Sequence, residues 1–171
     1  MPSSRSPAVL LLALLAGPVG ADVLLERILA VVEGRPVLLS EVRVVEQLTG
    51  QERGPSLEAL IDERLMFREA SRLPQAAISP DEETLALESL RARGGAALAG
   101  LPEPDLRQIA RRQATIVKYV EFRFRPQVRV EERLAEEDLR QRIEAWIKEL
   151  RHGADVRYNA APSSATARPA S

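Results

Sequence analysis

The side chains that most often do chemistry are nearly absent from this sequence. It has no cysteine and a single histidine, His152. Without a thiol there is no cysteine nucleophile, no thiolate metal site and no cysteine to carry a lipid. One imidazole is too few for the usual zinc ligand sets. His152 also falls where a helix is expected to end, a favourable place for a cation or a cap. Glu131, Glu132, Glu136 and Glu137 are spaced closely enough to suggest a carboxylate pair or a metal site. At the start of a helix, their simpler role is to complement the helix dipole and face water. No Ser/His/Asp arrangement, phosphate-binding loop or metal-ligand spacing stands out. The expectation is a chain with no catalytic residues, no cofactor and no metal.

What the residues do suggest is binding. Tyr119 and Phe122 lie about one helical turn apart, among Arg111, Arg112, Thr115 and Lys118. Apolar rings in a basic rim are suited to unfolded or extended polypeptides, with the arginines adding charge and cation–π contact. Tyr119, Phe122, Arg112 and Arg111 are therefore the peptide-binding candidates. The alternative is that the rings pack beneath the last helix or the Gly-rich loop, as aromatic side chains more often do. The arginines between Arg107 and Arg129 raise the question of nucleic acid. A formal net charge of −1 argues against that partner.

These residues must be positioned by a modest scaffold. The 171 residues suit one domain with appendages. Aromatics are only 4% of the chain, so the core must come from Leu, Val, Ile and Ala, which favours packed helices over a large sheet. The N-terminus reads as a secretory signal. Arg5 precedes the apolar run Ala8–Ala16, a Gly17-Pro18 break and small residues ending at Ala21. That run is well short of the ~20 residues of a spanning helix. The expectation is a leader over residues 1–21, cut after Ala21, and no stable membrane insertion.

Val23–Val32 reads as a strand, apolar on both faces from Ile28. Gly34 is free to take the positive φ of a turn, and Val37–Leu39 forms a second strand. Ser40 is the expected cap of a helix reaching Leu48. Ser56 opens a central helix that ends before Pro74, with Met66 and Phe67 in the core. Ser79-Pro80-Asp81-Glu82 combines a cap, a proline at the first helical position and a capping box. The helix it starts runs to about Arg93 and has a thin apolar face, Leu87 and Leu90. A loop follows from Gly95 to Pro104, then a helix from Asp105 to Phe124. Its apolar stripe is Leu106, Ile109, Ala110, Gln113, Ile116, Val117, Val120 and Phe124. Gln127–Val130 is an extended link. The last helix, Glu131–Arg151, carries Ala135, Leu139, Ile143, Trp146, Ile147 and Leu150 on one stripe. Trp146 is expected to anchor it against the central helix. Ala154–Tyr158 forms a closing strand, and residues 160–171 have the composition of a disordered tail.

Several of these segments resemble the SurA-type periplasmic chaperones. Ile28–Val42 (ILAVVEGRPVLLSEV) is similar to the family's opening hairpin and Ser-Glu-Val helix start. Leu57–Ala70 (LEALIDERLMFREA) is similar to its next helix, and Ile78–Glu83 (ISPDEE) to the start of its third. Ile109–Val130 resembles the helix leading out of the family's N-terminal domain. Trp146–Tyr158 (WIKELRHGADVRY) resembles the helix and strand that return to complete it. The family usually carries one or two parvulin prolyl-isomerase domains between those last two segments. Here Val130 passes directly into Glu131, so the resemblance does not extend to isomerase activity.

The resemblance implies a mainly α fold of the SurA N-terminal type, over residues 22–159. In it, the N-terminal hairpin and a C-terminal strand form a small sheet. It also implies a periplasmic, ATP-independent chaperone for unfolded or extended polypeptide clients, on the route of outer-membrane protein biogenesis. Two other functions remain open: a residual prolyl isomerase, and a non-catalytic adaptor subunit of an envelope complex.

Overall fold

The computed structural model describes residues 26–124 and 132–159. The expected leader, link and tail lie outside them. The fold is mainly helical, with a small antiparallel sheet formed by an N-terminal hairpin and a C-terminal strand. The hairpin is β1 (Ile28–Val32) and β2 (Arg35–Leu38). Its two turn residues, Glu33 and Gly34, both have positive φ (50° and 75°). Two such residues suit the twist of a two-residue hairpin. Gly34 accepts this freely, but Glu33 does not. Contacts hold Glu33 in place: its carboxylate lies 2.5 Å from Arg68 and accepts the Asp155 N–H at 3.1 Å. Arg68, and next the Asp155 amide, keep the Glu33 carboxyl below its ordinary value.

β3 (Val156–Tyr158) pairs antiparallel with β1, giving the order β2-β1-β3. Glu33 N–H to Asp155 O (2.8 Å) and Asn159 N–H to Leu29 O (2.9 Å) extend that ladder at both ends. The β1–β2 register shifts between Ile28 and Ala30. The irregularity lets the consecutive residues Leu29 and Ala30 both be buried, while Ile28 is 40% exposed.

Helix α1 (Leu39–Thr49) starts earlier than its sequence suggests. Leu38, not Ser40, occupies the cap position. It has no capping side chain, so Glu41 supplies the bond by accepting the Leu38 N–H at 2.9 Å. Helix α2 (Arg53–Ala70) likewise begins before Ser56, with Pro55 tolerated in its first turn. The neighbours grip α2 by its charges. Arg64 donates to Pro36 O (2.6 Å) and to both Glu41 oxygens (2.6 and 2.7 Å), while Arg68 holds Glu33.

Helix α3 (Pro80–Gly94) has the capping box expected of Ser79 and Glu82, at 3.2 and 2.6 Å. Only Leu87 and Leu90 of α3 are buried. The expected loop after it is partly ordered as a 3₁₀ turn, Gly95–Leu98, which buries Leu98. Gly94 permits that turn, because a Cβ there would overlap the Leu98 side chain and come within 2.9 Å of Leu48.

Helix α4 (Glu103–Arg123) buries Leu106, Ala110, Ile116 and Phe124 of its predicted stripe, but its buried arc extends beyond that stripe. Val117 is 59% exposed, while Thr115 and Tyr119 are buried. The reason is that α4 meets α3 on one side and α2 on another, so the buried arc is wider than one stripe. Helix α5 (Glu132–His152) packs on α2. Leu139 and Trp146 are buried, and Ile143 and Leu150 are partly so.

Among the described residues, the interior has three clusters. The sheet packs on Val42, Leu60, Ile61 and Leu65. Trp146 meets Tyr119, Phe124, Leu139, Ala70 and Ala76. Leu87, Leu90, Leu98, Leu106 and Ala110 form the third. Leu150 touches the first two and joins them. Arg151 adds a polar seam between α5 and α2. It bonds Asp62, Glu58 Oε2 (2.7 Å) and the Glu58 carbonyl (3.1 Å).

Trp146→Ala is expected to cost ~3–5 kcal/mol in urea unfolding, as for a buried aromatic. A loss below ~1 kcal/mol, the surface range, would mean that α5 is not anchored by this ring. Gly94→Ala should destabilise by ~1–3 kcal/mol through overlap with Leu98. An unchanged midpoint would show that the 3₁₀ turn yields without cost.

Candidate functional site

The four candidate residues do not form one patch. Tyr119 is completely buried, which corrects the expectation that it offers surface to a client. Its ring stacks on Trp146 at 4.9 Å and 17° between planes, and its hydroxyl accepts from Arg123 at 2.6 Å. The packed alternative therefore holds for Tyr119. Phe122 is 55% exposed. Arg111 and Arg112 are neighbours on α4 but differ in setting. Arg112 is largely enclosed and donates to Glu63 of α2 at 2.9 Å. Arg111 is open, and its ion pair with Glu83 is long, 3.8 Å.

What unites Arg111 and Arg112 is a groove. It lies between the end of α2, the turn that follows it and α4, with a volume of about 530 Å³. Phe67, Leu73 and Ile78 are half-buried within it, and Arg72, Arg111, Arg112 and Thr115 also line it. The groove forms because Pro74 follows the end of α2 and the chain turns through Pro74–Ala76, leaving this side of the last turn of α2 open among the described residues. Lys118 closes the far end by donating to Ala77 O and both Glu82 oxygens, at 2.8, 2.8 and 2.9 Å. Phe122 follows Lys118 by one turn and so shares its helix face.

A second, smaller cleft of about 290 Å³ continues along α2 and α4 toward α1. It contains Val44, Leu48, Leu60, Leu101 and Ile109, and it shares Gln108 and Arg112 with the first groove. The Arg112–Glu63 pair thus stands between two apolar hollows. From Leu60 to Ser71, α2 offers a wall of ~16 Å at 1.5 Å per residue. That is room for ~5 residues of extended chain at 3.3 Å each.

Spacing alone assigns Phe67 to the core, because it lies seven residues after Leu60 on the same face of α2. The structure half-opens it, since the cover it needs stops short. The nearby signal was Pro74, which limits how far α2 and its packing extend. Leu73, Ile78 and Arg72 carry no periodic signal of their own.

The remaining candidates take quieter places. Gly34 and Ser79 have the turn and cap roles described above. His152 is exposed in the last turn of α5. Glu136 and Glu137 are exposed, with Glu137 3.2 Å from Arg140, and Glu131 lies outside the described residues. Among the described residues, no group of three His, Cys, Asp or Glu side chains could hold a metal ion. No described helix is long and apolar enough to cross a membrane.

No protein-family model matches this chain, and no curated protein matches it. The groove itself must therefore carry the functional argument.

Glu82 is the strongest electrostatic feature beside the groove. Lys118, and next the Ser79 amide, lower its pKa to about 2 from the ordinary 4.5. Above pH 4.5 this carboxylate contributes its full stabilisation. Between 4.5 and 2 the unfolded chain takes up a proton that the folded chain does not, so stability falls as pH falls. An NMR titration should place the Glu82 midpoint near 2 in the protein and closer to 4.5 in Lys118→Met. Equal midpoints in the two proteins would remove Lys118 as the cause.

Proposed function

We propose that this protein is a periplasmic, ATP-independent chaperone-like module that holds unfolded or extended polypeptides in the groove between α2 and α4. The observation that carries this reading is an open groove floored by Phe67, Leu73 and Ile78, with the exposed ring of Phe122 farther along the same face of α4. Burying a client's apolar side chains there is favourable by ~25 cal/mol per Å² removed from water. The arginine rim keeps the uncovered groove hydrated. No bond is made or broken, so release needs only the client's own folding or its transfer elsewhere. The segments similar to the SurA-type chaperones support the same reading, and the expected leader supports the compartment.

The test is aggregation of two unrelated unfolded proteins, followed by light scattering with the purified protein in excess. Suppression of both is expected. Phe122→Ser should weaken it severalfold while changing stability by no more than ~0.5 kcal/mol, the usual surface range. No suppression, together with tight binding to one folded partner, would favour an adaptor. A rate enhancement in a proline-isomerisation assay would favour an enzyme. Suppression that survives both Phe122→Ser and Phe67→Ser would place the client elsewhere.

A further inference from the structure

We infer that the groove selects acidic extended segments, in which carboxylates alternate with apolar side chains. This rests on the peptide-holding reading of the same groove. Among the described residues, the lining contains three guanidinium groups, Arg72, Arg111 and Arg112, and no carboxylate. The three are not equivalent. Arg112 is enclosed and committed to Glu63 at 2.9 Å, so it shapes the groove. Arg72 is 66% exposed and has one bond from Nη1 to Glu69, at 3.0 Å. Arg111 is 63% exposed, and its distance of 3.8 Å to Glu83 is beyond hydrogen-bond range.

A guanidinium has five N–H donors in a planar fork that matches a carboxylate. Arg72 and Arg111 therefore keep donor capacity on opposite walls, one at the end of α2 and the other on α4. Between them lie Phe67, Leu73 and Ile78. An extended peptide sends alternate side chains to opposite faces. Its apolar residues fill the floor, while the residues between them rise to the level of the rim. A carboxylate there meets an open guanidinium and forms a charge-assisted hydrogen bond. An ammonium there meets like charge, with no acidic residue in the described lining to answer it. The groove thus discriminates by sign as well as by apolar fit.

Isothermal titration of the purified protein tests this with three eight-residue peptides of one frame, in which leucine alternates with aspartate, serine or lysine. At low salt the aspartate peptide should bind about tenfold tighter than the lysine peptide, with serine between them. At 1 M salt the preference should shrink to about twofold, as expected for exposed charges. The double variant Arg72→Gln/Arg111→Gln should also reduce it to about twofold. Equal binding of all three peptides, still dependent on Phe67, would overturn the charge preference and leave the peptide-holding reading standing. A preference that persists in the double variant would also overturn it. Binding of none of the three would remove the peptide-holding reading itself.

Discussion

The stack of Trp146 on Tyr119 is the contact that the closed form of this domain depends on. The chain has one Trp, two Tyr and three Phe, and Trp146, Tyr119 and Phe124 meet in a single cluster. Ala70 and Ala76 complete the cluster, and their small side chains let α2 and the turn after it approach the rings closely. Once α5 is fixed there, Leu150 carries the packing into the cluster beneath the sheet, and β3 is delivered to the open edge of β1. The Arg151 seam sets the angle of approach. Asp62, and next Glu58, hold its guanidinium further above its ordinary range despite partial burial. Burial also raises the Tyr158 hydroxyl, which donates to Glu58 at 3.0 Å.

Helix α2 is both the hub of the core and one wall of the groove, and the two roles divide along its length. Leu60, Ile61 and Leu65 lie under the sheet. Glu58 and Asp62 share Arg151, while Glu63, Arg64 and Arg68 hold Arg112, Glu41 and Glu33. Partly buried ion pairs of this kind set geometry more than they add stability. On the side of Phe67 and Ser71, no further described helix covers the last turn, and there the apolar interior reaches solvent. The groove is therefore where core packing runs out, on elements made rigid by the rest of the core.

The parts legible in the sequence were those written locally. Gly34 marks a turn because few residues tolerate its φ, and Ser79-Pro80-Asp81-Glu82 starts a helix with all three signals together. Trp146 and the closing strand were legible because a lone tryptophan on a clean stripe has few destinations. The start of α1 was not, since the cap expected of Ser40 is replaced by Glu41 reaching back to Leu38 under the pull of Arg64. Nor was the full width of the buried arc of α4, because helical periodicity finds one buried face and α4 has more than one. The site was half legible for the same reason. Arg111 and Arg112 do line the groove, and Phe122 is exposed as its type and neighbours suggest, whereas Tyr119 and Phe67 exchange places between surface and core according to what covers them.

The pairing of β3 with β1 governs the order in which the chain can fold. Glu33 and Asp155, which bond at one end of that ladder, are 122 residues apart in sequence. Closing so long a loop costs entropy before any contact across it forms. A chain emerging from its N-terminus therefore shows one unsatisfied edge of β1 until nearly all the described residues have followed. The hairpin and α1–α4 can gather early, but the last layer waits for α5. The domain is in this sense slow to shut, and it stays threadable for most of its synthesis.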